Sequence, residues 1–178
     1  MTNPAAPNLA GSAPKSSATS AADGPTAAFE HDYGGLPISR ARILLVDDNL
    51  QNLELMQAYL EGLPCQLSTA RDGVEAIAAM EEEKPDLVLL DVMMPRMSGF
   101  EVCQKIKSNP STRDIVVIMV TALHEVGDYE RAVECGTDDF LTKPVNKLEL
   151  VTRVKSLLRV SLLKRRLDEL TDRRRRGD

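Results

Sequence analysis

Several chemistry-bearing side chains in this chain stand where apolar runs stop. ARILLV (41–46) ends on Asp47-Asp48, and LVLL (87–90) ends on Asp91. IVVIMV (115–120) ends on Thr121, and a short run over 138–141 leads to Lys143-Pro144. Apolar runs this short, bounded by Pro, Gly or Asp, read as strands buried on both faces. Each polar residue taken singly also reads as a turn residue, a helix cap or a solvated charge. Their common place at strand ends argues for more. If the first, third and fourth strands are neighbours, three carboxylates, a hydroxyl and an ammonium converge on one crevice. That crevice lies at the carboxyl edge, where open α/β sheets bind ligands. Two carboxylates about 5 Å apart repel by about 3 kcal/mol at an effective dielectric of 20, so three of them call for a cation. All-oxygen ligands completed by water suit Mg²⁺ or Mn²⁺ rather than zinc.

The elements that would position these groups follow from periodicity. Residues 50–61 carry Leu53, Met56 and Leu60, with Leu63 just beyond, at helical spacing. A short strand (66–70) turns at Asp72-Gly73 into a second helix (74–83), striped by Val74, Ile77 and Met80. After the central strand, Pro95, Ser98 and Gly99 make a loop, and residues 100–107 form a third helix with Val102 and Ile106 four apart. A fourth helix (126–135) stops at Gly136, the usual residue for a left-handed helix end. Asn146 caps the last helix. Five strands alternating with five helices predict a parallel sheet covered on both sides.

Composition bounds the function. Hydrophobic residues are 43% of 178 and aromatic ones 3%, so the core is mainly aliphatic. No apolar run approaches the roughly 18 residues that span a bilayer, and the N-terminus has no basic start or apolar core of a secretion signal. Three widely spaced cysteines, Cys65, Cys103 and Cys135, fit reduced thiols in a cytoplasmic protein. Net charge is −1 over 1–40, −10 over 41–150 and +6 over 151–178. The acidic middle speaks against nucleic acid as its partner. Residues 1–39, rich in Ala, Pro, Ser, Thr and Gly, read as a disordered leader. Phe29, Tyr33, Leu36 and Ile38 are its few candidates for docking on the domain.

ILLVDDN, PDLVLLDVMMPRMSG, VTA and FLTKP, in this order and at these intervals, resemble the receiver domain of two-component response regulators. The resemblance covers about residues 41–160. It implies a doubly wound, flavodoxin-like α/β fold with strand order 2-1-3-4-5, and a domain over 40–159. It also implies roles. Asp91 is the phosphoacceptor, a nucleophilic carboxylate that forms an acyl phosphate. Asp48, Asp91 and the backbone carbonyl of Met93 bind Mg²⁺ (Mn²⁺ would also serve), with Asp47 acting largely through a metal-bound water. Lys143 neutralises the phosphoryl oxygens and Thr121 hydrogen-bonds them. Phe140 matches the aromatic that turns inward as Thr121 moves, and Lys143-Pro144 resembles the family's cis peptide. Where the family often has Asp before the loop glycine this chain has Ser98, which still caps a helix. Met93 and Leu123, near the phosphoryl position, are apolar and cannot position an attacking water, so slow self-dephosphorylation is expected.

The expected partners are a histidine kinase or phosphotransfer protein upstream and an unidentified protein target downstream. The chain would be a signalling switch, not an enzyme acting on an outside metabolite. It would be either stand-alone or part of a longer regulator with an output domain. The last helix continues as a basic extension over 160–178, in which Val160, Leu163, Leu167 and Leu170 step by 3, 4 and 3. Such a seam reads as a coiled-coil stalk that forms a homodimer, or as a solvated helical extension. Two other functions match the sequence less well. An aspartate-nucleophile phosphatase of the haloacid-dehalogenase type wants a second Asp two residues after the nucleophile, where this chain has Met93. The arginines at 173–176 could bind nucleic acid weakly, but no recognition helix or aromatic platform accompanies them.

Overall fold

The computed structural model describes residues 38–122 and 126–177, and side chains for all of these except 126–129 and 176. The leader up to residue 37, Leu123 and the terminal Asp178 therefore lie outside the described residues. Five parallel strands, β1 (Arg42–Val46), β2 (Gln66–Ala70), β3 (Leu87–Asp91), β4 (Val116–Thr121) and β5 (Asp139–Thr142), form one sheet in the order β2-β1-β3-β4-β5. Between and after them run α1 (Leu50–Leu60), α2 (Gly73–Glu82), α3 (Gly99–Ser108), α4 (Val126–Glu134) and α5 (Lys147–Arg176). This is the doubly wound α/β architecture expected from the sequence.

Alternation along each strand sorts the core into two layers. Ile43, Leu45, Leu87, Leu89, Ile118 and Val120 face one side, with Leu53, Met56 and Leu60 of α1 and Leu150, Val154, Leu158 and Leu162 of α5. Leu44, Val46, Val88, Leu90, Val117 and Met119 face the other, against α2, α3 and α4. All five β3 residues are buried, and each of its leucines contributes about 1.5–3 kcal/mol by leaving water.

Ends of the helices follow their caps. Asn49 accepts from the Gln51 N–H, and Asp72 from the N–H groups of Val74 and Glu75. Ser98 and Glu101 form a reciprocal capping box at α3, and Asn146 caps α5. Gly136 has φ 82°, the left-handed end expected after α4. One stripe differs from its sequence pattern. In α2 the buried positions are Gly73, Ala76 and Met80, and Val74 is exposed. The small residues Gly73 and Ala76 let α2 lie close, which rotates Val74 outward. Ile38, placed by the sequence within the leader, is fully buried in the α1–α5 layer.

α5 is the longest element, about 45 Å at 1.5 Å per residue. Asp86, at the foot of β3, fastens it: Arg165 Nη1 donates to Asp86 Oδ1 at 2.7 Å, and the Arg42 N–H to Oδ2 at 2.9 Å. The Ser161 hydroxyl reaches the Asp86 carbonyl at 3.3 Å. Past Arg165, every α5 residue with a described side chain is exposed.

Candidate functional site

At the carboxyl ends of β1 and β3 the chain leaves the sheet through acidic residues, and the sheet order makes those ends neighbours. Asp47, Asp48 and Asp91 each bring a carboxylate oxygen within 4.8 Å of the others. Asp47 is fully buried, Asp91 nearly so, and Asp48 is exposed. From the end of β5, Lys143 reaches across. Its Nζ lies 2.9 Å from Asp47 Oδ2 and 3.0 Å from Asp91 Oδ1.

Backbone geometry fixes how these groups are presented. The Lys143 N–H donates to the Thr121 carbonyl at 2.7 Å, and Lys143-Pro144 is a cis peptide. The Val92 N–H donates to the Val120 carbonyl at 3.2 Å, so the chain holds to β4 one residue past Asp91. The N-terminus of α3 then folds back, with the Gly99 N–H on the Val92 carbonyl at 3.0 Å. A Cβ at position 99 would lie 2.2 Å from the Asp91 carbonyl oxygen, so only glycine allows this approach. Within the loop, Arg96 takes a left-handed φ of 69° and its guanidinium pairs with the buried Asp72.

Electrostatics follow from burial and pairing. Burial pushes the Asp91 carboxyl above its usual range, against the pull of the Lys143 hydrogen bond and charge, and the Asp47 charge adds to the rise. Burial disfavours the Lys143 ammonium, but its hydrogen bonds to Asp47 and Asp91 more than offset that and raise its pKa. Three carboxylates face one ammonium, an excess of negative charge that a divalent cation would balance. The donors are all hard oxygens, at a spacing one ion could bridge, so the residues present fit Mg²⁺ or Mn²⁺.

The remaining candidates take their places around this cluster. Thr121, buried, ends β4 beside Thr142 of β5. Met93 is 63% exposed just beyond Asp91. Phe140, on β5, is 38% exposed and so stands on the outer side of the strand. Leu123, paired with Met93 in the reading of self-dephosphorylation, lies outside the described residues. Asn52 was missed by the sequence reading: its Nδ2 lies 3.0 Å from both Asp47 oxygens. Its signal was an Asn on the first turn of the helix that follows the acidic pair. A groove of about 590 Å³ lined by Arg42, Gln66 and Glu83 lies at the opposite end of the strands.

A family model described as the response regulator receiver domain matches residues 43–155, which include Asp47, Asp48, Asn52, Asp91, Met93, Thr121, Phe140 and Lys143. The chain belongs to the response regulator receiver domain family. It is 47% identical over 137 residues to the response regulator PleD of Caulobacter vibrioides, a match covering 77% of this chain and 30% of PleD. Among solved structures it is similar to the signal receiver domain of a signal transduction histidine kinase from Syntrophus aciditrophicus. That match has 39% identity and TM-score 0.63, and covers 66% of this chain and 89% of that one. The receiver domain of a LuxO-type repressor from Vibrio parahaemolyticus matches at 33% identity and TM-score 0.68, over 72% and 97%. The chain spans less than a third of PleD and about half of the other curated relatives it matches. It thus carries the receiver domain of a two-component response regulator, a class that works with histidine kinases or phosphotransfer proteins. No helix among the described residues is long and apolar enough to cross a membrane.

Proposed function

We propose that this receiver domain is a phosphorylation-dependent switch whose acceptor is Asp91. One observation carries the reading: Lys143 bridges Asp47 and Asp91 beside Asp48, at the meeting of three strand ends. An Asp91 carboxylate oxygen attacks the phosphorus of a phosphohistidine on the kinase or phosphotransfer protein. The new P–O bond forms as the P–N bond breaks, and the electron pair leaves with the imidazole. Lys143, already held between the two carboxylates, turns its ammonium to the phosphoryl oxygens, and Thr121 offers its hydroxyl to one of them. Asp48, Asp91 and the Met93 carbonyl would hold Mg²⁺, with Asp47 beside them in the same acidic cluster. The ion, when bound, supplies positive charge that offsets the charge of carboxylates and phosphoryl group together.

Movement of Thr121 toward the phosphoryl group leaves room for Phe140 to turn inward, which alters the face formed by α4, β5 and α5 and changes the downstream partner. The chain transfers a phosphoryl group to itself and turns over no outside metabolite. Met93, exposed and apolar, cannot position a hydrolytic water, which supports slow loss of the phosphoryl group. A phosphorylated lifetime of only seconds would contradict that. Three free thiols support a cytoplasmic location.

Incubation with acetyl phosphate and Mg²⁺ tests the acceptor. The wild type should be labelled, or saturated by beryllofluoride, and Asp91→Asn should show neither. If Asp91→Asn takes up phosphate as well as the wild type, the assignment is wrong.

A further inference from the structure

α5 carries two apolar faces. Leu150, Val154, Leu158 and Leu162 are buried against the sheet. Val160, Leu163, Leu167 and Leu170 lie on the opposite side of the helix, at 45–62% exposure, and no described residue covers them. At about 100° per residue these four fall into one stripe, the a and d positions of a short heptad seam. On the described surface this is apolar area kept in line over three turns, which marks an interaction site more than scattered leucines do.

The flanks of the stripe say what fits it. Arg159, Arg166 and Arg173 run along one border (g), Lys164 stands on the other (e), and Arg174 occupies the next a position, closing the stripe with a charge. The acidic residues of this stretch, Asp168, Glu169 and Asp172, lie away from it. In a parallel pair of identical copies Arg159 would face Lys164 and Arg166 the neutral Thr171, and in an antiparallel pair each border would meet its own kind. Neither arrangement gains an attractive border pair among the described residues, which disfavours self-pairing.

From this arrangement we infer that the outer face of α5 docks an amphipathic helix of another protein, one with leucine-type residues on its seam and Glu or Asp along its borders. The apolar stripe supplies the contact area, and the basic borders select an acidic partner over a second copy of this chain. Arg174 gives the partner's last turn an acid-pairing terminus. The stripe lies on the side of α5 turned away from the sheet, so docking leaves the acidic cluster uncovered.

Two synthetic heptad peptides of about three turns each test this, both with Leu at a and d, one with Glu and one with Lys at e and g. The full chain should sediment as a monomer. It should bind the Glu peptide at least about tenfold tighter than the Lys peptide, an advantage that falls with added salt. Leu163→Ser with Leu167→Ser, both exposed positions, should abolish binding and leave the melting temperature unchanged. Arg159→Glu, Lys164→Glu and Arg166→Glu together should invert the preference between peptides. Self-association lost in the double Ser variant would overturn the inference in favour of a second copy. Equal binding of both peptides, no binding of either, or tighter binding to phosphatidylglycerol vesicles than to the Glu peptide would also overturn it.

Discussion

The side-chain nitrogen of Asn52 sits 3.0 Å from both carboxylate oxygens of Asp47. Asp47 Oδ1 also accepts from the Asn49 N–H at 2.9 Å, and Oδ2 from Lys143. Among the described residues Asn52 is thus the one group that touches both oxygens, and it sets the plane of the carboxylate. Asn52→Ala should cost about 1 kcal/mol of stability and weaken Mg²⁺ binding several-fold, because Asp47 then rotates about its remaining partners. Thermal melts with isothermal titration of Mg²⁺ separate the two effects. An unchanged Mg²⁺ affinity would show that Asn52 only props the fold.

A second expectation concerns acid. The Glu75 N–H holds the Asp72 carboxyl below its usual range against the effect of burial, helped by the Val74 N–H and Arg96. The folded chain therefore releases this proton more readily than the unfolded chain. Asp72 adds stability above its unfolded pKa of about 3.9, and that stability is lost as the pH falls through the lower folded value. Asp72→Asn keeps a capping oxygen without the charge. Its melting temperature should lie below wild type at pH 6, and the gap should close as both are taken toward pH 2.5.

Two glycines should respond in opposite directions to the same substitution. At Gly99 a Cβ would meet the Asp91 carbonyl oxygen at 2.2 Å and Val92 Cα at 2.9 Å, both backbone atoms that cannot swing aside. Gly99→Ala should cost about 1–3 kcal/mol or more and reduce labelling of Asp91. At Gly62 a Cβ would have nothing within 4 Å. Gly62→Ala should be neutral or stabilising by about 0.4–1 kcal/mol, by restricting the unfolded chain. Urea denaturation of both variants measures the contrast.

Asp86 ties the foot of β3 to α5 through Arg165 and to β1 through the Arg42 N–H. Asp86→Ala removes two hydrogen bonds from a carboxylate, at a cost of about 1.5–3 kcal/mol. Hydrogen exchange should quicken most over 158–165, where α5 loses its fastening. Uniform quickening over the whole domain would mean that the tie is not local.

Much of the architecture was legible because strand and helix periods are local. Every strand and helix expected from the sequence is present, most ends fall within one residue of expectation, and the caps at Asn49, Ser98 and Asn146 follow from residue type. The neighbourhood of Asp47, Asp91 and Lys143 was legible only through strand order, which the resemblance supplied. What could not be read depends on approach between distant parts of the chain. Arg165 meets Asp86 from 79 residues away, and nothing in either segment announces it. The tightness at Gly99 depends on how far α3 folds back over Asp91. Val74 looked like core by its spacing, and the small residues beside it turned it to solvent.

Lys143 and Asp47 stand 96 residues apart along the chain. During synthesis, then, the acids of the first strand wait for their counter-charge until all five strands have left the ribosome. A nascent chain stalled before its fifth strand has mutual repulsion where the finished one has a bridge. Assembly of the acidic cluster with its counter-charge and completion of the sheet thus arrive together.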